Sequence, residues 1–222
     1  LPKIDSARFD LNIPRLVSTR YQLQQILPSG SLPENVRLPD RFTASAKFNG
    51  RIDDFDSQFE IRSSLGRIEG TASVSYPDVD IPVYAADLKL DAFHLGDFLR
   101  DSSFGRLNAG FRLKGRYFDW RQMQAEFQTT VSELEYRGYR YKDLSLQARI
   151  DSQQINAGGQ VRDSNIVFDL QSELNLQKDF SYSGQIDVKG ADLQAVHITD
   201  EDIRAKGVCR FRGRGIDPDS LK

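Results

Sequence analysis

The chain is poor in the residues around which active sites and small secreted domains are usually built. Its 222 residues include one cysteine, Cys209, and two histidines, His94 and His197. A lone cysteine excludes an internal disulfide and a cysteine zinc site, and it suits a reducing or an oxidising compartment equally. No apolar run approaches the ~20 residues that a membrane-crossing helix requires. Charge of a single sign is also missing: 30 basic and 32 acidic residues are mixed along the chain, for a net charge of -2. That excludes the one-sided basic field on which nucleic-acid binding rests, so no nucleic-acid partner is expected. The start lacks the basic and then apolar pattern of a signal peptide. Because the chain opens on Leu1-Pro2-Lys3 and stops at Leu221-Lys222, it reads as a piece of a longer protein, and the missing signal says nothing about compartment.

What is present is repetition. One phrase (basic residue, apolar residue, any residue, Gly, Arg, two more, Asp) occurs three times: Lys47 to Asp54, Arg112 to Asp119 and Arg210 to Asp217. Each copy closes an alternating apolar and polar run. The copies are 65 and then 98 residues apart, which predicts unequal blocks of one continuous sheet, because a strict solenoid keeps a single period. Within a copy, Phe48 and Gly50 share one face, and Lys47, Asn49 and Arg51 the other. The glycine is therefore expected at a bend or a close strand approach, with Asp54 beginning the turn. An arginine ladder for lipid headgroups is the sharper alternative.

Most of the sequence alternates with period two, the mark of strands with one dry and one wet face. Examples are Phe42-Ala44-Ala46-Phe48, Leu88-Leu90, Leu107-Ala109-Phe111-Leu113, Leu144-Leu146-Ala148-Ile150 and Ile166-Phe168-Leu170. The pattern predicts ten to twelve strands with short connections at 63–66, 76–78, 151–153, 162–165 and 178–179. One amphipathic helix is expected over Pro14 to Leu27, with Leu16, Leu23 and Leu27 on one face. Short helical caps are expected at His94 to Arg100 and Ala191 to Val196. Residues 1–40 are thus read as a strand, the helix and a proline-rich connection, and 41–222 as repeated antiparallel blocks. The expected fold class is all-β. Periodicity leaves two architectures open: a closed sandwich or barrel with a dry core, the commoner outcome, or a sheet curled into a trough with its lining available to a ligand.

Catalytic chemistry has little to stand on. No HExxH, Cys/His cluster or nucleophile with a spaced histidine occurs. The acidic groups at Asp53-Asp54, Asp78 and Asp80, and Asp200-Glu201-Asp202 lack the glycine of a calcium loop. Gly213-Arg214-Gly215 lacks the setting of a phosphate loop. His94 and His197 read as structural or surface residues at corresponding positions of two repeats. No enzyme activity, cofactor or metal is expected. The Tyr136, Tyr139 and Tyr141 cluster around Gly138 breaks parity with Leu144 and Leu146, as a bulge or hairpin corner does. With Trp120, it is also the place where an aromatic platform for carbohydrate would have to lie.

Phe42 to Asp54, Leu88 to Gly96, Tyr136 to Leu144 and Val161 to Asn165 resemble the large AsmA-like proteins related to TamB, the translocation and assembly module, in their Bacteroidetes-type forms. The resemblance covers most of 40–222. It implies a long sheet curled into a groove, called a β-taco, in a protein anchored in the inner membrane and reaching through the periplasm. The implied ligands are phospholipid acyl chains, and the implied partner is an outer-membrane assembly barrel protein. The resemblance favours the trough over the closed core. With it, the expected lining is Phe48, Leu90, Phe111, Leu113, Phe127, Leu146, Phe168 and Val188. A chaperone-like scaffold that templates outer-membrane strands at its sheet edges is the alternative.

Overall fold

The computed structural model describes residues 7–26, 35–78, 80–177 and 180–215. Twelve strands form one antiparallel meander in which every strand pairs with its neighbours in sequence. They are β1 (Phe9–Thr19), β2 (Arg41–Gly50), β3 (Phe55–Ser63), β4 (Gly66–Asp78), β5 (Ile81–His94) and β6 (Phe104–Arg116), followed by β7 (Gln124–Tyr136), β8 (Tyr139–Asp151), β9 (Gln154–Arg162), β10 (Ile166–Asn175), β11 (Ser181–Asp192) and β12 (Arg204–Arg214). Two short helices interrupt them, α1 (Arg20–Ile26) and α2 (Leu95–Leu99). The fold is the expected all-β one, and the long curled sheet does not close: among the described residues β1 and β12 are its edges, each with one neighbour.

The helix expected over Pro14 to Leu27 is shorter. Residues Pro14 to Thr19 belong to β1, and Leu27 lies outside the described residues. Phe9, Leu11 and Ile13 alternate with period two, and the register shifts between Ile13 and Leu16. Proline has no N–H for a ladder, so an irregular place in an edge strand is where it fits. The helical spacing of Leu16 and Leu23 is coincidental. The connection expected at 76–78 also moves, since β4 runs to Asp78 and Asp80 has φ +65°. The one at 178–179 lies outside the described residues. Around Gly138 the chain does form a hairpin corner, with Arg137 and Gly138 at φ +49° and +76°, both left-handed as the tightest hairpin turn requires. Asp143, at φ +53°, marks the irregularity that resets parity before Leu144.

The repeat is stricter in space than in sequence. In the β5–β6 pair Tyr84 faces Gly115, Leu90 faces Ala109, and after a bulge Phe93 faces Leu107. In the β11–β12 pair Tyr182 faces Gly213, Val188 faces Gly207, and after a bulge Ala191 faces Ala205. Every one of these positions is offset by 98 residues, so the two pairs share length, register and bulge. The β1–β2 pair opens the same way, with Phe9 facing Gly50. All three phrases therefore end a strand whose glycine opposes an aromatic ring. Because β2, β6 and β12 are separated by four and six strands, they run in one direction and place the three phrases on one rim. The intervals of 65 and 98 residues differ by two strands, the smallest change that keeps a phrase on its rim.

The opposite rim carries the caps. After β5, α2 packs Phe98 against Phe93 with ring centroids 5.4 Å apart, and the carbonyl of Phe98 accepts a hydrogen bond from the Arg37 amide at 2.7 Å. After β11 the expected helical cap is a series of turns instead, with β11 itself continuing to Asp192. Val196, only 1% exposed, seats in a cluster with Val161, Ile166 and Ala191. Its carbonyl accepts from the Tyr141 hydroxyl at 3.0 Å, and His197 Nδ1 lies 2.9 Å from the Arg137 carbonyl. These contacts tie β11–β12 back to β7–β8 and hold the curl. By the 98-residue offset, His94 matches Asp192 and His197 matches Leu99, so the two histidines are not equivalent.

A buried carboxylate braces this cap. Asp163, 4% exposed, accepts hydrogen bonds from the Asn165 amide at 2.9 Å, the Lys142 amide at 3.0 Å and the Tyr139 hydroxyl. Burial by itself would raise its pKa, but these donors outweigh burial and hold it below the ordinary carboxylate range. A carboxyl depressed in the folded state stabilises above its unfolded pKa of about 4, and that contribution is lost as pH falls through the folded value. Urea titrations at pH 7 and pH 3 will show acid destabilisation that is smaller in Asp163→Asn than in the parent chain.

Candidate functional site

Directly paired residues in an antiparallel sheet point to the same face. Following the register strand by strand assembles four rows that each cross all twelve strands. One runs Leu11, Phe48, Ser57, Ala72, Ala86, Leu113, Phe127, Ala148, Ala157, Ser172, Gly184, Phe211. The next row contains Phe59, Leu88, Phe111, Leu146, Leu170, Ile186 and Cys209. A third contains Ile61, Ile68, Leu90, Val131, Leu144, Val161, Phe168 and Val188. The row beneath the phrases contains Phe9, Phe55, Val74, Tyr84, Ile150, Ile155, Leu174 and Tyr182. None of these four rows carries a charged residue, whereas the opposite face holds ion pairs such as Arg112–Asp87 at 3.1 Å.

All eight residues named from sequence lie on this apolar face. Phe48, Leu113 and Phe127 share the first row, Phe111 and Leu146 the second, and Leu90, Phe168 and Val188 the third. They differ in surroundings. Phe168 and Val188 pack against the Val161–Ile166–Ala191–Val196 cluster and so belong to the capped rim. Phe111 and Phe127 stand side by side in mid-sheet with ring centroids 6.3 Å apart, and Leu146 is 38% exposed. The lining named from sequence leaves out Leu88, Leu170, Ile186, Cys209 and the small residues Ala72, Ala86, Ala148 and Ala157, although Leu88, Leu170 and Ala148 stand in the alternating runs. Their signal was the same alternation.

Among the described residues, nearly all the buried apolar side chains lie towards the capped rim: Leu65, Phe93, Leu107 and Ala109 around the end of β5, and Val161, Ile166, Ala191 and Val196 in the cluster of the second cap. No second layer covers the middle rows in the described structure. The chain's accessible surface of 15483 Å² compares with roughly 10,000 Å² for a compact protein of this mass, which weighs against the closed sandwich. Two hollows follow the row of Phe48 and Phe211, one of 690 Å³ across β1–β6 and one of 1590 Å³ across β7–β12. Neither is a dry tunnel, since Lys47, Arg112, Gln128, Gln147 and Gln171 join their linings.

Besides the Cys209 thiol, the titratable groups on this side of the sheet are phenols. Burial raises the pKa of Tyr84, Tyr139 and Tyr141, and the Asp163 carboxylate adds to that of Tyr139. They are neutral at pH 7 and supply no general base. Comparison with protein-family models, curated proteins and solved structures finds no match to this chain. His94 sits 3.5 Å from Asp97 on one cap and His197 on the other, each with a local partner of its own. No helix among the described residues is long and apolar enough to cross a membrane.

Proposed function

We propose that this chain is a lipid-shielding β-groove segment of the TamB/AsmA-like kind, acting in the periplasm and holding phospholipid acyl chains along its apolar face. The observation that carries this reading is the set of four uncharged rows, continuous across twelve strands and without a covering layer over their middle. A hydrocarbon chain gains about 0.8 kcal/mol per methylene removed from water. Uniform rows therefore hold it without any specific contact, and the polar outer face keeps the complex in solution. Weak and repeated binding of this kind suits transport towards the outer membrane.

Cys209 gives a direct test, because it is a free, exposed thiol in the second row. Bound oleate is expected to slow its alkylation by a water-soluble maleimide about tenfold, and native mass spectrometry is expected to show lipid adducts. Ile186→Glu, on the residue that faces Cys209 across β11–β12, is expected to abolish the protection while leaving the circular dichroism unchanged, since an open face tolerates a carboxylate that a closed core does not. A lipid-free chain whose thiol rate ignores oleate rules the reading out.

The scaffold reading has an observation of its own in the two edges, β1 and β12, each paired on one side among the described residues. It expects crosslinks from nascent outer-membrane strands to those edges and none to the rows.

A further inference from the structure

We infer that the polar face of β7–β11 is a binding site for a neutral oligosaccharide, laid across the strands over Gly158. This face is the reverse of the apolar rows, so the inference does not rest on lipid binding.

The larger hollow, of 1590 Å³, opens on the polar face. On β11 it touches Gln185 and Asp187 but not Ile186 between them, and on β12 it touches Arg210 and Arg212 but not Cys209. Ile186 and Cys209 face each other on the apolar side, so the walls of the hollow are the polar side chains that alternate with them.

One cross-strand row runs along its middle: Gln128, Gln147, Gly158, Gln171 and Gln185. In β5 and β6 the same row holds Asp87 and Arg112, and in β12 it holds Arg210. Between those charges it is neutral over five strands, about 19 Å at the usual strand spacing. Gln128, Gln147 and Gln171 are exposed, and Arg210 closes the row by donating to the Gln185 side-chain oxygen at 2.8 Å. The charges at the margins are neutralised locally: Glu126 pairs with Arg149, Asp169 with Arg162 and Asp187 with Lys189. The two others, Glu173 and Arg212, are of opposite sign. An ionic ligand finds no charge of one sign to answer it.

Gly158 is an independent observation. A glycine inside a strand weakens it, and its usual reasons are a bulge, a bend or the close approach of a ligand. The ladders on both sides of Gly158 run through it without a shift of register, so it marks no bulge. An added Cβ would lie 3.5 Å from Gln147 Nε2, 3.7 Å from Gln147 Cγ and 3.8 Å from the Leu170 carbonyl oxygen, all ordinary contacts. The fold therefore tolerates a side chain here, and what its absence provides is a gap in the middle of the amide row.

A carboxamide offers two N–H donors and two acceptor lone pairs, which suits neighbouring sugar hydroxyls that each donate and accept. Glutamines on successive strands can follow a chain of sugar rings lying across them. A peptide has less to gain, because the backbone of β7–β11 is already paired on both sides and the row has no apolar pocket. Without an aromatic ring to stack on, the sugar binds weakly and by hydrogen bonds.

Titration of the full chain with cellohexaose and with chitohexaose, followed by nuclear magnetic resonance, tests the site. At least one is expected to shift the side-chain amide signals of Gln128, Gln147 and Gln171 saturably, with an affinity that changes less than twofold between 50 and 500 mM salt. Alkylation of Cys209, on the other face, is expected to keep its rate. Gly158→Leu, which fills the gap, and the Q147A/Q171A chain are each expected to lose at least tenfold in affinity with circular dichroism unchanged. Three results would overturn the proposal: no saturable shift with either sugar, undiminished affinity in the Q147A/Q171A chain, or tighter binding by an uncharged Gln-Ser peptide, which would make the occupant a protein. If Gly158→Leu loses its circular dichroism, the glutamine pair decides alone.

Discussion

Gly50→Ala is expected to destabilise the chain by about 3 kcal/mol or more, read as a shift of the urea midpoint. At φ +134° the backbone of Gly50 adopts a conformation that side-chain-bearing residues rarely reach. An added Cβ would lie 2.3 Å from the Asp54 carbonyl oxygen and 2.7 Å from the Phe55 Cα. Both are backbone atoms of a tight turn, in which the Arg51 amide already donates to that same carbonyl at 2.7 Å. Neither can yield without opening the β2–β3 connection. The matching glycine of the third phrase sets the scale. At Gly213 the added atom would lie 2.3 Å from the Tyr182 ring, the mobile end of a side chain, so Gly213→Ala is expected to cost only about 1 kcal/mol. Equal losses at the two sites would mean that the three phrases share one structural role, contrary to their geometry.

Asp163→Ala is the second large effect, at about 3 kcal/mol. It leaves the Lys142 and Asn165 amides and the Tyr139 hydroxyl without their acceptor beside the Val196 cluster, and each buried donor so abandoned costs about 1–3 kcal/mol. Asp163→Asn keeps an acceptor oxygen and is expected to lose about 1 kcal/mol at pH 7. Hydrogen exchange should localise the Asp163→Ala effect to 139–144 and 161–167 and leave β1–β5 unchanged.

Strand count and apolar parity were legible because period-two alternation survives in nearly every strand, as in Leu107 to Leu113. Register was not. That Phe48 and Phe211 lie in the same row follows from ten successive pairings, and no single run of sequence contains that information. Trough and closed core also write the same alternation, so openness showed only in the absence of a layer over Phe111, Phe127 and Leu146. Pro14 with Leu16 and Leu23 read as helix because a proline in an edge strand leaves the same local trace as a helix start. The second cap was legible only through a long-range offset: aligning Tyr84 with Tyr182 and Gly115 with Gly213 puts Val196 at the place of Phe98, whereas aligning the two histidines misplaces it by five residues.

The four uncharged rows run across the strands, along the direction in which strands are added. Strands lie about 4.8 Å apart, so a ligand about 15 Å long, half the ~30 Å hydrocarbon thickness of a bilayer, covers about three of them. Moving by one strand exchanges one set of apolar neighbours for another of the same kind, and no step requires leaving the surface. For the acyl chains proposed above, the face is level ground, and nothing in the rows themselves would give travel along it a direction.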